Sequence, residues 1–202
     1  MKIKTLISVI IFILISACGN DAPKLSRLSN DAVILAFGDS LTHGNGAKEN
    51  ESYPAVLESL SGRKVINAGV SGEESTEGLA RLPDVLEEYQ PKLLILCHGG
   101  NDLLRKKNTG KMESNIRAMI QLAKDKNIPV VLLGVPKPGL FLSSFEVFKK
   151  ISESTDIVFI EKVLPKVLAD KSLKSDTVHP NKDGYRVMAE TIYSVLKESG
   201  AL

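Results

Sequence analysis

The hydrophobic residues of this chain fall into short continuous runs that alternate with longer segments of mixed polarity. The clearest runs extend from Ala32 to Phe37, from Leu93 to Cys97 and from Val130 to Leu133. Continuous apolar character over so few residues is typical of strands that are covered on both faces of a sheet. Val65-Ile66 and Ile157 to Ile160 are weaker members of the same set. The pattern therefore predicts five buried strands.

Segments with a helical spacing of apolar residues separate these runs and follow the last of them. Alternation of strand and helix predicts a parallel sheet with helices on both faces, and right-handed crossovers restrict it to a doubly wound α/β sandwich. Ligands bind such sheets at the carboxyl ends of the strands. The predicted helices are Tyr53 to Leu60, Ser75 to Tyr89, Lys111 to Lys126, Glu146 to Glu153 and Gly184 to Glu198.

The first residues of the chain have the pattern of a targeting segment. Lys2 and Lys4 provide a positive start, and an almost wholly apolar run follows from Leu6 to Ile15. We do not count these residues as part of the fold, since such segments are removed from exported proteins. A spanning helix needs about 20 apolar residues, so this shorter run favours export over anchoring by a helix.

The segment Ser16-Ala17-Cys18 resembles the lipobox of bacterial lipoproteins, in which signal cleavage leaves the cysteine as a lipid-modified first residue. The resemblance implies a signal peptide over residues 1–17 and lipidation of Cys18. It also implies an exported bacterial lipoprotein, held at a membrane and facing the periplasm or the cell surface. The polar segment that follows lacks periodicity, which predicts a tether over residues 18–30 before a folded domain over residues 31–202. The alternative is an ordinary signal peptide with a cysteine nearby by chance.

Composition narrows the classes of function and of fold. The net charge of +2 includes the two lysines of the signal, and acidic and basic residues are interspersed, so nothing favours nucleic-acid binding.

With Cys18 lipidated, Cys97 has no disulfide partner, and a packed core must provide the stability. The remaining length, about 185 residues, suits one domain. No histidines and acids show metal-ligand spacing, so we predict no metal and no cofactor.

Four short polar segments together supply the parts that a serine hydrolase needs. A serine hydroxyl is a weak nucleophile unless a base takes its proton and fixed N–H groups receive the charge that develops on the substrate carbonyl. Three of the segments follow predicted strands and are therefore expected at one edge of the sheet. The segments are Gly38-Asp39-Ser40-Leu41-Thr42, Ser71-Gly72, Gly99-Gly100-Asn101-Asp102 and Asp176-Thr177-Val178-His179-Pro180.

Ser40 is the candidate nucleophile, although a serine in a Gly-Asp-Ser turn is by itself more often a helix cap. Asp176 and His179 lie three residues apart, so one turn can bring the carboxylate to one imidazole nitrogen and leave the other facing the serine. A solvated surface loop is the alternative for this pair. The candidate oxyanion donors are the backbone N–H groups of Ser40 and Gly72 and the side-chain amide of Asn101, and ordinary turns are their alternative.

Taken in order, these segments resemble the blocks of the SGNH (GDSL) hydrolase family, from about Val33 to Val195. The resemblance implies a three-layer α/β/α flavodoxin-like sandwich with a five-stranded parallel sheet in the order 2-1-3-4-5. It also implies a serine esterase that hydrolyses carboxylic esters or thioesters through a Ser-His-Asp triad without a cofactor. The block residues of the family correspond here to Ser40, Gly72, Asn101 and His179, with Asp176 as the third triad member.

The stretch from Gly78 to Pro83 is further similar to the thioesterase I, lysophospholipase and arylesterase branch of that family. This similarity implies a small-molecule or lipid ester as substrate. Glu74, His43 and His98 depart from the family pattern, so substrate preference and the roles of the two histidines stay open. The hydrophobic segment from Pro136 to Leu142 is either the lining of an acyl pocket or a loop packed on the next helix.

Three other functions are alternatives to a serine esterase. Relatives with the same blocks also remove acetyl groups from cell-surface polysaccharides, but a chain without tryptophan is poorly supplied with sugar-stacking aromatics. A lipid-anchored binding protein without catalysis is the second, and the intact Ser40, Asp176 and His179 count against it. A flavodoxin-type nucleotide-binding protein is the third, and the loop after the first strand lacks a phosphate-binding glycine pattern. The sequence leaves oligomeric state open.

Overall fold

A central sheet of five parallel strands organises the chain, and the computed structural model describes residues 23–202 of it. The strands of this sheet are β1 (Val33–Gly38), β2 (Lys64–Gly69), β3 (Leu93–Cys97), β4 (Val130–Leu133) and β7 (Val158–Ile160). Their order is β2-β1-β3-β4-β7, which confirms the predicted order because β7 is the fifth strand to enter this sheet. Every neighbouring pair in the sheet is parallel.

Helices cover both faces of this sheet and complete three α/β/α layers. Helix α2 packs against α8, and α3 packs against α5. Two 3-10 turns, Glu49–Glu51 and Lys171–Leu173, precede α2 and α8. The helices are α1 (Ser40–His43), α2 (Tyr53–Ser61), α3 (Ser75–Tyr89), α4 (Gly100–Leu104), α5 (Thr109–Asp125), α6 (Glu146–Thr155), α7 (Val163–Ala169) and α8 (Lys182–Glu198).

The core lies where the apolar runs were found. All residues of β3 and β4 are buried, and so are most of those of β1. Burying an aliphatic side chain of this size contributes about 1.5 to 3 kcal/mol, so these strands contribute much of the stability, together with the buried faces of the helices. Cys97 at the end of β3 is a free thiol, and burial raises its pKa well above the usual range.

Sequence patterns did not predict the shortest elements. Helices α1 and α4 span four and five residues, too few for a periodic pattern to show. The hydrophobic segment after β4, predicted to be either an acyl-pocket lining or a loop packed on the next helix, forms an antiparallel hairpin. Its strands are β5 (Pro136–Lys137) and β6 (Leu140–Ser144).

The amino-terminal end of the described chain packs against the carboxyl terminus. The N–H of Leu25 donates to the carbonyl of Ser199 at 2.9 Å, and that of Leu28 to the carbonyl of Ala201 at 2.8 Å. Leu28 is also buried in the core. The packed part of the chain therefore begins inside the segment that was predicted to be tether. No helix within residues 23–202 is long and apolar enough to cross a membrane, and the predicted signal peptide and Cys18 lie outside these residues.

Candidate active site

Three of the four polar segments meet at the carboxyl edge of the sheet, because β1 lies between β2 and β3. Ser40 is the first residue of α1, directly after β1. The side chain of Asp39 caps this helix by accepting the N–H of Leu41 at 3.0 Å. Asp39 is buried and also accepts a hydrogen bond from the backbone of Gly100, and burial raises the pKa of its carboxyl. The serine turn is thus fixed to the segment that carries Asn101.

The fourth segment brings a base and a carboxylate to the serine. The Nε2 atom of His179 lies 3.0 Å from Ser40 Oγ, and its Nδ1 atom lies 2.7 Å from Asp176 Oδ2. Proximity of Nδ1 to a carboxylate assigns the imidazole proton to Nδ1, which leaves Nε2 free to accept the serine hydroxyl. Residues far apart in the chain therefore form one line of hydrogen bonds from carboxylate to imidazole to hydroxyl.

Local hydrogen bonds hold the loop that carries the histidine. Asp176 Oδ1 accepts the backbone N–H groups of Val178 and His179, each at 2.8 Å. The N–H of Ser175 donates to the carbonyl of His179 at 3.0 Å and closes the turn. Asn181 then caps α8 through its side chain. Partial burial would raise the pKa of Asp176, but the hydrogen bonds from His179 and from the two backbone groups outweigh burial and lower it.

The candidate oxyanion donors are the N–H groups of Ser40 and Gly72 and the side-chain amide of Asn101. The N–H of Ser40 is in the first turn of α1, where it has no acceptor within the helix. Asn101 is only 9% exposed and donates one amide hydrogen to the carbonyl of Glu73 at 3.0 Å. An amide has a second N–H, which is available to a ligand. Gly72 directly precedes Glu73 in the turn after β2, with a left-handed φ of 80°.

A cleft with a largely apolar wall opens beside Ser40, Asn101 and His179. Pro136 and Pro138 from the hairpin contribute to this wall, as the lining hypothesis for this segment expected. Gly72 does not line the cleft and is linked to it through Glu73. The other apolar residues of the wall are Leu41, Leu104, Val135, Leu168 and Val178.

The two histidines with open roles occupy different surroundings. His43 is exposed and borders a polar groove that also reaches Asp176 and His179. His98 is fully buried and does not line the cleft; its Nε2 atom lies 3.1 Å from Glu73 Oε2. Within residues 23–202 no group of three or more His, Cys, Asp or Glu side chains is placed to hold a metal ion.

Glu73 is a site residue that sequence patterns did not single out. Its carboxylate is 5% exposed and accepts two hydrogen bonds from Arg81 at 2.8 Å. Burial would raise the pKa of this carboxyl, but the hydrogen bonds from Arg81 and His98 lower it to about 2. The available signal was an acid and an arginine eight residues apart, spanning the start of a predicted helix.

Comparison with known proteins decides the family. The profile of the GDSL-like Lipase/Acylhydrolase family matches residues 36–187, a range that includes Ser40, Gly72, Asn101 and His179. The chain belongs to this family. The resemblance of the four polar segments to the SGNH (GDSL) hydrolase family is therefore confirmed.

Relatives within the GDSL family are named for ester hydrolysis. The arylesterase of Vibrio mimicus is 30% identical over 201 residues, covering 93% of this chain and 94% of that protein. Thioesterase 1/protease 1/lysophospholipase L1 of Escherichia coli K12 is 29% identical over 165 residues, covering 78% of this chain and 79% of that protein. Esterase EstA from Pseudoalteromonas, in a structure inhibited by monoethylphosphonate, aligns with a TM-score of 0.74 and 28% identity over 83% of this chain and 98% of its own. The chain is accordingly a GDSL-type ester hydrolase.

Proposed function

We propose that this chain is a serine esterase that hydrolyses carboxylic esters or thioesters through Ser40, His179 and Asp176. The observation that carries the proposal is the line of two contacts, 2.7 Å from Asp176 to His179 and 3.0 Å from His179 to Ser40. These distances lie within the range in which a base can take the proton of an attacking hydroxyl.

The reaction has two halves that use the same groups. His179 Nε2 takes the proton of Ser40 as Oγ forms a bond to the substrate carbonyl carbon, and Asp176 stabilises the imidazolium. The N–H groups of Ser40 and Gly72 and the amide of Asn101 stabilise the oxyanion. His179 returns the proton to the departing alcohol or thiol. A water molecule, deprotonated by the same imidazole, then attacks the acyl-serine; the bond from Oγ to the acyl carbon breaks, His179 returns the proton to Ser40 Oγ, and the acid is released.

The apolar wall of the cleft supports an acyl chain as the part of the substrate that is bound there. Aliphatic and proline side chains favour apolar groups, because contact removes both surfaces from water. Relatives are named as arylesterase, thioesterase and lysophospholipase, which extends the candidate substrates to aryl esters, acyl thioesters and lysophospholipids. An O-acetyl esterase of polysaccharides would gain little from such a wall, so this alternative is not favoured.

Cleavage before Cys18 and its lipidation would hold the enzyme at a membrane as an exported bacterial lipoprotein. The support is the apolar run that ends directly before Ser16-Ala17-Cys18. Metabolic labelling with an alkyne fatty acid tests this part. Labelled protein that disappears in Cys18→Ser is the expected result, and equal labelling of both chains would contradict it.

A panel of chromogenic esters and acyl thioesters, from acetyl to palmitoyl, tests the catalytic proposal. We expect the purified chain to hydrolyse them with a single chain-length optimum, and Ser40→Ala to be inactive on every member. Activity that is unchanged in Ser40→Ala would overturn the mechanism. An optimum set by the leaving group, independent of the acyl chain, would contradict the assignment of the cleft.

A further inference from the structure

We propose that His98 is a positioning residue for the oxyanion site, and that it acts by fixing the segment that carries Asn101 against the turn that carries Gly72. This inference rests on the proposed function. His98 touches neither the cleft nor the nucleophile, so it acts through its neighbours and does not contact the substrate.

Both ring nitrogens of His98 are used, one for each segment. Nδ1 accepts the N–H of Gly99 at 2.9 Å, which assigns the ring proton to Nε2. Nε2–H then donates to Glu73 Oε2 at 3.1 Å. Gly99 caps the short helix that carries Asn101, and Glu73 follows Gly72. One imidazole therefore connects both segments from inside the protein.

Glu73 completes a closed ring of contacts. Its carbonyl accepts the side-chain amide of Asn101 at 3.0 Å while its carboxylate accepts His98. The ring runs from His98 through the backbone to Asn101, across to Glu73 and back to His98. The closed ring restrains the Asn101 side chain, because its rotation breaks the buried hydrogen bond to Glu73. Displacement of Glu73 breaks that bond and also the one from His98.

Arg81, and not His98, neutralises the charge of Glu73. Arg81 binds both carboxylate oxygens of Glu73 at 2.8 Å and also donates to the carbonyl of Ala68 at 3.1 Å. The ion pair with Arg81 thus compensates the carboxylate and ties it to β2. The contribution that remains for His98 is geometric.

The packing around His98 leaves room for its imidazole in one orientation only. A Cβ atom placed on Gly78 of α3 would lie 2.3 Å from His98 Nε2, closer than real atoms approach. Gly78 therefore allows the imidazole to reach Glu73. At the surface, Arg105 donates to the carbonyl of Gly72 at 3.0 Å. Inside the protein, Asp102 accepts the N–H of Ser75 at 2.8 Å. Arg105 therefore holds the exposed side of the turn, and Asp102 and His98 hold its buried side.

Two substitutions of His98 distinguish positioning from simple space filling. His98→Leu keeps most of the volume and loses both hydrogen bonds, so kcat is expected to fall about 10- to 100-fold with KM changed less than about threefold. His98→Gln places an amide donor near the position of Nε2 and is expected to recover kcat to within about fivefold of wild type. Gly78→Ala, which displaces the imidazole without removing it, is expected to lower kcat in the same direction.

A matched control removes stability without touching the ring. Leu196→Ala opens a cavity under α8, where the side chain is fully buried, and is expected to lower the melting temperature while leaving kcat unchanged. Equal values of kcat for His98→Leu and wild type, measured on folded protein, would overturn the inference. The inference would also be overturned if the fall in kcat of His98→Gln and Gly78→Ala were proportional to the fall in melting temperature alone.

A double-mutant cycle with Asn101→Ala is the sharpest test. If His98 acts through Asn101, then His98→Leu costs less than about threefold in kcat once the amide is absent. A full 10- to 100-fold loss in both backgrounds would contradict the inference. Ser40→Ala distinguishes a failure of the proposed function from a failure of this inference. Activity retained in Ser40→Ala would refute the proposed function. Loss of activity in Ser40→Ala together with a wild-type kcat in His98→Leu would refute this inference alone.

Discussion

The two halves of the candidate active site are built in opposite ways. On the oxyanion side, Ser40 and Asn101 are each 9% exposed. Asn101 donates a buried hydrogen bond to the carbonyl of Glu73, and the neighbouring Asp102 accepts two buried hydrogen bonds from Ser75 of α3. On the base side, the Asp176 side chain is 53% exposed and lies on a loop before α8. The oxyanion half lies on the turns that directly follow the central strands. The base half lies on a surface loop that contacts this edge of the sheet through His179.

This difference shows how the two halves keep their geometry. The buried half cannot move without leaving polar groups unpaired, which costs about 1 to 3 kcal/mol for each group, so the packing of the fold fixes it. The exposed half depends on local contacts, since Asp176 accepts hydrogen bonds from Val178 and from the backbone and ring of His179. Water can replace part of what an exposed carboxylate provides. Substitutions on the two sides should therefore differ in severity.

The largest effect is expected where the halves meet. His179→Ala removes the base that contacts Ser40, and kcat should fall by about 10⁴-fold or more. Steady-state hydrolysis of a short-chain chromogenic ester measures it. His43→Ala is the control, since that imidazole is exposed and outside the cleft, and an equal loss in the control would contradict the assignment of the base.

Next in size is the buried donor. Asn101→Ala removes the proposed oxyanion donor and frees the carbonyl of Glu73, so kcat should fall about 10²- to 10³-fold with KM little changed. Asn101→Asp, which keeps the shape and replaces a donor with an acceptor, should be at least as damaging. A fall in kcat/KM that arises from KM alone would mean that Asn101 binds the ground state.

The buried half should also show in the acid stability of the protein. The pKa of Glu73 is lowered from 4.5 to about 2, so the unfolded chain binds this proton more tightly than the folded one. The resulting stability is present above about pH 4.5 and is lost as pH falls towards 2, and it is on the order of 3 kcal/mol. Denaturant unfolding between pH 2 and 5 should show a flatter profile for Glu73→Gln than for wild type. Parallel profiles would show that Glu73 titrates normally.

A smaller loss is expected on the exposed side. Asp176→Ala leaves the imidazole without its partner but open to water, so kcat should fall less than for His179→Ala, and less than the roughly 10⁴-fold typical of a buried triad aspartate. Asp176→Glu tests whether distance or charge matters, because it keeps the carboxylate and lengthens the side chain. A loss for Asp176→Ala as large as that for His179→Ala would remove the contrast between the two halves.

The smallest effect is expected at Gly72. Alanine retains the N–H that is the candidate donor, and its Cβ would meet only the end of the Arg105 side chain, at 3.5 Å. The cost is the left-handed φ of 80°, about 1 to 2 kcal/mol for a residue other than glycine. Gly72→Ala should therefore keep kcat within about tenfold of wild type and lower the melting temperature by a few degrees. A loss comparable to Asn101→Ala would show that the turn tolerates no change.

The sequence predicted the elements that carry a long pattern. The ends that the apolar runs predicted for β1, β3 and β4 differ from the observed ends by one residue at most. The predicted helix from Ser75 to Tyr89 has the same bounds as α3. The hairpin after β4 and the packing of Leu25 and Leu28 depend on tertiary contacts that no local pattern encodes.

At the site, order and spacing located the residues whose chemistry is distinctive. Ser40 and His179 are 139 residues apart, and only the combination of motifs suggested that they meet. Glu73 was missed because a single acid beside a turn looks like a solvated charge, and only the fold shows that Arg81 and His98 surround it. The role of His98 stayed open for the same reason.

Covalent labelling of Ser40 tests the central claim most directly. The purified chain would be treated with a fluorophosphonate, digested and examined by mass spectrometry, beside Ser40→Ala and His179→Ala. The account predicts one adduct per chain, on the Ser40 peptide, absent in Ser40→Ala and formed far more slowly in His179→Ala. An adduct on another residue, or equal labelling of Ser40→Ala and the unmodified sequence, would contradict it.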